Sequence, residues 1–295
     1  MGRSDRIELV DIVPAGNTLG EGILWDAEHG RAWWTDIQER RLFRYDPLSR
    51  QTESFALPER LGSFGLVDGS DRIVAAFESG FAFFHAETGA CEWIARPAHA
   101  AANIRFNDGR VDRQGRFWAG SMVEGNGPHK GKLYRLEHGK APVICLEDIA
   151  ISNSLCFSPD GATLYFADTP QRRILRYDLD RASGAISNPR VFAETPEGAF
   201  PDGSNVDSEG CVWNAHWGAG RVVCYAPDGS VRATIDIPAR QPTCVAFGGR
   251  DLDLLFVTSA REGLGPTPAQ HAGDVFIYKT PAHGLPEPQF RVLHA

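Results

Sequence analysis

The sequence repeats one pattern six times: an apolar strand, a short turn rich in Asp and Gly, and a second apolar strand. Successive copies begin roughly 40 to 50 residues apart, at Gly22, Gly65, Gly109, Ser154, Gly203 and Cys244. A single four-stranded sheet cannot cover both of its faces, so repeats of this period are typical of blades packed around an axis. We therefore predict an all-β, six-bladed β-propeller with about four antiparallel strands in each blade.

Each copy continues into a third apolar strand, and several continue into a fourth. No linker or change in composition divides the chain, so residues 1–295 are expected to form one domain. Closing the ring requires a strand from one terminus, because an open blade would leave an unpaired edge. Residues 7–13 and residues 290–295 are both suitable, and the sequence does not choose between them.

The charge distribution argues against several classes of partner. The formal net charge is −8 and no block of basic residues occurs, so a nucleic acid or an anionic membrane would be repelled by most of the surface. No segment approaches the roughly 20 apolar residues of a membrane span, and the first residues do not form a signal peptide. We expect a cytoplasmic protein with no obligatory protein partner. The six cysteines form no CxxC pair and are predicted to be buried free thiols.

The first strand of each propeller blade lines the central channel, so the residues at the start of these strands should meet at one mouth of the axis. In blade order, this column reads Glu21, Phe64, Asp108, Asn153, Asp202 and Thr243. Asp and Asn also suit turns, which is the simplest explanation for any single blade. Several oxygen donors on one axis would, however, repel each other unless a cation neutralised them. Oxygen ligands favour a hard divalent ion, and three protein ligands would leave positions open for water or substrate.

Longer segments carry a resemblance to a known family. They are LGEG from Leu19, RFNDGRVDRQGRFWAGSM from Arg105, ISNSLCFSPDG from Ile151, PDGSNVDSEGCVW from Pro201 and TSAREGL from Thr258. In this order and at these repeat positions, they resemble the SMP-30/gluconolactonase/regucalcin family over essentially the whole chain. The resemblance implies a six-bladed propeller with one divalent ion in its channel, which can be Ca²⁺, Mn²⁺, Mg²⁺, Zn²⁺ or Fe²⁺. It also implies hydrolysis of a sugar lactone to the aldonic acid.

The same resemblance implies roles for individual residues. Glu21, Asn153 and Asp202 would be the metal ligands, and the column contains the same three residues. Asp202 would also be the catalytic general base, although a role as ligand alone stays open. The carbonyl of the lactone would be polarised by the ion.

Three further residues would contact the substrate. Arg105 and Asn107 would hold the sugar hydroxyls or the ring oxygen, and Glu124 would be a further substrate contact. The chain departs from the family at Ser154, where glycine is usual after the ligand. This change predicts an altered backbone path into that strand.

Two other functions stay open at this point. One is a non-catalytic, divalent-metal-binding regulatory protein of the regucalcin type, and the other is an esterase like paraoxonase. The chain has no GxSxG motif and no HExxH motif, which argues against a serine hydrolase and a zinc peptidase. His216 and Trp217 follow a turn near the channel, and we assign both to structural roles. Which sugar lactone is the substrate, its ring size, the native metal and the oligomeric state are not determined by the sequence.

Overall fold

The computed structural model describes residues 6–97, 103–125, 127, 128 and 130–292. Its strands form six four-stranded antiparallel sheets, which confirms the predicted six-bladed propeller. Along the chain, the strands of the first three blades and the strand that precedes them are β1 (Glu8–Val13), β2 (Gly20–Asp26), β3 (Arg31–Asp36), β4 (Arg41–Asp46), β5 (Gln51–Ala56), β6 (Leu61–Val67), β7 (Ser70–Phe77), β8 (Gly80–His85), β9 (Cys91–Ala95), β10 (Ile104–Val111), β11 (Phe117–Val123), β12 (Gly131–Leu136) and β13 (Val143–Ile149).

The second half of the chain continues in the same way. Its strands are β14 (Ser152–Phe157), β15 (Thr163–Asp168), β16 (Arg173–Leu179), β17 (Ile186–Glu194), β18 (Phe200–Val206), β19 (Val212–Trp217), β20 (Arg221–Tyr225), β21 (Val231–Asp236), β22 (Pro242–Gly248), β23 (Leu254–Ser259) and β24 (Val275–Lys279). One turn of 3₁₀ helix, Thr169–Gln171, follows β15.

The N-terminal strand closes the ring. The sixth sheet has the order β1-β24-β23-β22, so β1 is its outer strand and pairs antiparallel with β24. This arrangement joins the two ends of the chain within one sheet and leaves no blade incomplete. Of the two candidate segments, residues 7–13 therefore supply the closing strand.

The C-terminal segment has a different place. The backbone N–H of Phe290 donates to the Leu66 carbonyl, and that of Arg291 donates to the Gly115 carbonyl. Leu66 lies at the far end of β6 and Gly115 lies in the turn that follows β10, so this segment crosses the end of the axis opposite the starts of the first strands. There the side chain of Phe290 is fully buried. The last three residues of the predicted segment, 293–295, lie outside the described residues.

The turn between the first two strands of a blade is fixed by an aspartate in blades three and five. Asp112 Oδ1 accepts hydrogen bonds from the backbone N–H groups of residues 114 and 116, each 2.9 Å long, and its Oδ2 accepts from the Trp118 ring nitrogen, also at 2.9 Å. Asp207 has the same arrangement, with Trp213 in place of Trp118. The short turn is thereby coupled to a tryptophan in the core.

The core lies between adjacent blades. The cluster between blades one and six, for example, contains Trp25 and Trp34 from one side and Phe256 and Ile277 from the other. The tryptophans that we predicted to pack between blades are all buried, namely Trp25, Trp33, Trp34, Trp118 and Trp213. Burial of these large side chains on both faces of each sheet is what holds the blades in a ring.

Candidate active site

A cavity of about 330 Å³ opens at the mouth of the axis where the first strands of the blades begin. Five of the six predicted site residues line it: Glu21, Arg105, Asn107, Asn153 and Asp202. These side chains come from blades one, three, four and five, so only the closed ring brings them together. The sixth predicted residue, Glu124, is not among those that line the cavity.

A larger groove of about 620 Å³ lies on the outer side of blades one and two. Its charged side chains already pair with each other, as in the ion pairs of Arg31 with Asp46 and of Arg44 with Glu53. Because these groups satisfy each other, we take the axial cavity as the candidate site.

The strand register corrects the predicted column in blades two and three. Position by position, counted back from the turn at the end of each first strand, the equivalent residues are Glu21, Ser63, Asn107, Asn153, Asp202 and Thr243. Ser63 and Asn107 therefore replace Phe64 and Asp108. Phe64 packs in the core between blades one and two, and Asp108 accepts a hydrogen bond from the Leu155 backbone N–H at 2.7 Å.

A β-bulge explains this difference. The first strand of every blade contains a break in register, for example between Glu21 and Leu24 and between Asn153 and Cys156. A bulge redirects side chains and interrupts the alternation of the strand. An alignment based on small residues and alternation is thus displaced by one position in blades two and three, where glycine stands two residues after the column.

Ser154 occupies one of these bulges. Its backbone is left-handed, with φ of 62°, the same value as Gly22 has after Glu21. The hydroxyl donates to the main-chain carbonyl of Asp202 at 2.7 Å and accepts from Asn214 Nδ2 at 3.0 Å. The backbone path is therefore the one that glycine gives in blade one, and the serine adds a bond between blades four and five beside Asp202.

The carboxyl groups of the cavity are buried and lie close to each other. Burial, followed by the charge of Asp108, raises the pKa of Glu21 to about 8. Burial, followed by the charges of Glu21 and Asp108, raises the pKa of Asp202 well above its ordinary value. The Glu21 and Asp202 side chains also share a hydrogen bond. A proton shared by these two carboxyl groups reduces their electrostatic repulsion, and a bound cation would reduce it further.

Asn153 is held so that its oxygen is available. Its Nδ2 donates to Thr169 Oγ1 at 2.8 Å, and its Oδ1 accepts from Asn107 Nδ2 at 3.1 Å. A carbonyl oxygen has two lone pairs, so one remains for a ligand. Two carboxylates and one amide oxygen form a donor set that fits a hard divalent cation.

Arg105 belongs to a chain of ion pairs at the rim. Its Nε donates to Glu124 at 3.0 Å, and its Nη1 donates to Asn107 Oδ1 at 2.8 Å. Glu124 also accepts from both terminal nitrogens of Arg60, which binds Glu78 as well. Among the described residues, Arg105 Nη2 has no acceptor. One N–H face of this buried guanidinium is therefore free to meet a ligand.

Sequence reasoning missed most of the apolar wall of the cavity. This wall comes from Leu19, Met122, Ile151, Pro170, Phe200 and Trp217. We had assigned Trp217 to blade packing, but it is half-buried and faces the cavity. These residues lie at or near the first and last positions of strands and in the adjoining loops, where no periodic pattern marks them.

His216, by contrast, is structural. It is buried, its Nε2 pairs with the Tyr225 hydroxyl at 3.0 Å, and its Nδ1 accepts from Arg221 Nε at 3.3 Å. Burial, followed by the Arg221 charge, lowers its pKa to about 4.

This shift predicts a loss of stability in acid. Between pH 6.5 and 4 the unfolded chain gains a proton at His216 that the folded protein does not, so folding stability present above pH 6.5 is lost as pH falls, on the order of 3 kcal/mol in total. We expect the melting temperature of His216→Gln to fall less than that of the wild type between pH 7 and pH 4.5. Equal falls would show that His216 is not responsible.

Within the part of the chain that the structure describes, no helix has the length and apolar character that a membrane crossing requires.

Known proteins share this architecture. The sequence profile of the SMP-30/Gluconolactonase/LRE-like region matches residues 19–261. The chain belongs to this family. It is 39% identical over 286 residues to 6-deoxy-6-sulfogluconolactonase of Pseudomonas putida, and the match covers 95% of this chain and 97% of that protein. It is 38% identical to L-arabinolactonase of Azospirillum brasilense, covering 93% and 92%.

A solved structure is similar along its whole length. The crystal structure of a calcium-binding protein, regucalcin from Agrobacterium tumefaciens, superposes with a TM-score of 0.91 at 34% identity, covering 96% of this chain and 98% of that chain. The family resemblance expected from LGEG and the other segments is thus confirmed.

Proposed function

We propose that this protein hydrolyses a neutral sugar lactone with the help of a divalent cation held by Glu21, Asn153 and Asp202. The observation that supports this best is the composition of one cavity, in which these three oxygen donors lie with the unfilled N–H face of Arg105 and an apolar wall. Family membership, with relatives named as sulfogluconolactonase and arabinolactonase, makes the chain an enzyme of the sugar-lactonase class.

The residues present fit the ion, which would supply Lewis-acid polarisation of the lactone carbonyl. Asp202 is the residue that we assign as general base toward the attacking water. Its carboxylate lines the same cavity as Glu21 and Asn153, where the attacking water would bind. A lactone is an activated ester, so a base weakened by ligation is still sufficient.

Arg105 and Asn107 are assigned to substrate binding. Arg105 Nη2 would donate to a hydroxyl or to the ring oxygen of the sugar. Asn107 directs both of its amide hydrogens to the Ser152 carbonyl, at 2.9 Å, and to Asn153. Its contribution is therefore to hold Asn153 and Arg105 in place and to offer the remaining lone pair of Oδ1 to the substrate.

A neutral lactone is favoured by the charges at the rim. Glu262 lines the cavity, and its Oε1 accepts from Gln38 at 2.7 Å rather than from a cation. The nitrogens of Arg60 are already directed to Glu78, Glu124 and Gln38. Among the described residues, a sulfonate or phosphate on the substrate would therefore meet the Glu262 carboxylate and one unfilled N–H face, that of Arg105.

Glu124 is proposed to act through Arg105, because both of its oxygens are occupied by guanidinium groups. We expect Glu124→Gln to raise KM by roughly 10-fold with a smaller change in kcat, since a charge-assisted hydrogen bond is worth about 1.5–3 kcal/mol. The matched control is Glu78→Gln, which removes a partner of Arg60 but none of Arg105. Equal effects of the two substitutions on KM would contradict the positioning role.

The proposed reaction is tested with a panel of neutral five- and six-membered aldonolactones. Acid release is followed with a pH indicator, before and after treatment with a chelator and after restoring Ca²⁺, Mn²⁺, Mg²⁺ or Zn²⁺ one at a time. We expect acceleration over spontaneous hydrolysis that the chelator abolishes and one ion restores. No acceleration on any member of the panel would overturn the proposal.

The two alternatives have less support. A bare regulatory cation site has no need of a guanidinium with a free face beside the donors, which Arg105 provides. An esterase like paraoxonase would place histidine near the metal, and no histidine is among the described residues that line the cavity. Tight ion binding without turnover in the panel would favour the regulatory protein.

A cytoplasmic location is part of the same proposal. It is supported by the six cysteines, which are all free thiols. Disulfides are rare in the reducing cytosol and common outside it. The partner implied by the site is a small sugar lactone.

A further inference from the structure

A second group of metal-ligating side chains lies in blade five, outside the axial cavity. It consists of Asp207, Cys211 and Cys224, whose ligand atoms all lie within 4.8 Å of one another. None of the three residues is more than 2% exposed. We call them the blade-five cluster.

The strand register places the two sulfurs together. Trp213 in β19 is directly opposite Cys224 in β20. Cys211 lies two positions before Trp213 and therefore points to the same face of the sheet, diagonal to Cys224. Asp207 reaches the pair from the other side of the turn, where its Oδ1 accepts from the Cys211 backbone N–H at 2.9 Å.

The equivalent turn in blade three has a cationic side chain where blade five has a thiol. There, Arg116 occupies the position equivalent to Cys211, and its Nε donates to Asp112 at 2.5 Å, so the turn aspartate has a cationic partner. In blade five the thiol replaces the guanidinium. Among the described residues, Asp207 forms no ion pair, and its buried charge lies beside two sulfurs. Three N–H groups donate to this carboxylate, but no described cationic side chain pairs with it as Arg116 pairs with Asp112.

A positive group does approach the cluster from β21. Arg232 Nη1 donates to Cys211 Sγ at 3.1 Å, and the same nitrogen bonds Glu209 at 2.5 Å. The Arg232 side chain is 53% exposed, so it covers the sulfurs but is free to swing into solvent. A donor of this kind favours the thiolate, which is the form that binds metals.

We propose that the blade-five cluster is a binding site for a soft or borderline divalent cation of the Zn²⁺ class. Two thiolates and one carboxylate supply three of four tetrahedral positions, and a water molecule would take the fourth when the Arg232 side chain swings out. Two sulfurs on one zinc ion lie about 3.8 Å apart, so the cluster needs to contract by at most about 1 Å. The bound ion would tie the turn after β18 to β20 and give Asp207 the positive partner that Asp112 has in Arg116.

This site differs from the axial one in its chemistry. The axial donors are oxygens and suit hard ions, whereas sulfur donors select softer ones. Cysteine binds a metal as the thiolate, whereas an ordinary free thiol carries its proton at neutral pH. Binding therefore releases protons, which makes it measurable without any substrate.

The experiment is a titration of the reduced, chelator-treated protein with Cd²⁺, followed by the ultraviolet charge-transfer band of thiolate–cadmium bonds and by proton release in weak buffer. We expect the band to saturate at one equivalent and Zn²⁺ to displace it. Cys211→Ser and Cys224→Ser should each lose most of the band. Cys145→Ser, which changes a thiol in the outer strand of blade three, should keep it.

Absence of the band in the wild-type protein would overturn the proposal, and so would a band that survives in both serine variants. If one serine variant fails to fold, the other variant and the wild-type stoichiometry still decide. An oxygen-only site gives no thiolate band, so binding at the axial cavity cannot imitate the result. Because no lactone is used, the outcome is independent of the proposed hydrolysis.

Discussion

Replacing Asp202 with asparagine is expected to lower kcat/KM for the best lactone by about 10³-fold or more, at saturating divalent ion. Removal of a general base typically costs 10²–10⁴-fold, and this substitution also removes one of the two charges facing the ion. The side chain keeps its size, and the backbone carbonyl that accepts from Ser154 is unchanged. Steady-state kinetics with the ion at several concentrations measure the effect.

The matched control for this variant is Asp108→Asn. Asp108 is buried like Asp202 and contributes to the same electrostatic field, but it accepts a main-chain hydrogen bond and does not line the cavity. An amide oxygen can accept the same bond. We therefore expect a much smaller loss of activity, and wild-type turnover by Asp202→Asn would rule out its role as base.

Removal of the divalent ion should lower the melting temperature as well as activity. An ion present at a thousand times its dissociation constant stabilises the folded state by about 4 kcal/mol, or roughly 8 °C in a chain of this size. Scanning calorimetry with and without chelator measures this shift. Glu21→Gln should reduce it, because the variant keeps the shape of the site and loses a charge.

The chelated protein should also respond to pH in a defined direction. The pKa of Glu21 is raised by burial to about 8, so the folded protein holds a proton there that the unfolded chain releases above about 4.5. The contribution of Glu21 to folding stability is then full below about pH 4.5 and decreases as pH rises toward 8. Glu21→Gln should be less sensitive over this interval, and an unchanged pH dependence would contradict the burial argument.

The sequence predicted the architecture because the hairpin repeat has a regular period and because each copy has Asp and Gly at its turns. It predicted Glu21, Asn153 and Asp202 because these residues lie in short segments that resemble the family. In blades two and three the predicted column residue was wrong by one position, because the alternation of apolar and polar residues does not reveal a β-bulge. The strand register, which pairs Arg110 with Trp118 and Asn205 with Trp213, makes Asn107, and not Asp108, equivalent to Asp202.

Other features depend on contacts that no local pattern encodes. The chain of ion pairs at the rim runs from Arg105 through Glu124 to Arg60. Its most distant partners in sequence, Arg60 and Glu124, are 64 positions apart. The apolar wall that includes Phe200 and Trp217 is assembled from several blades, and its members have no common spacing. Ring closure by β1 was undecided because both termini carry short apolar segments of similar character.

The C-terminal segment covers one end of the axis. At the end opposite the cavity, Glu287 accepts from Arg110 Nη1 at 2.7 Å, with both side chains less than 10% exposed, and Phe290 packs beneath blades two and three. Within the part of the chain that the structure describes, the cavity therefore opens at the other mouth of the axis. A lactone that enters and an aldonate that leaves must use the same mouth, past Glu262, so the acid product competes with the next substrate for the route as well as for the site.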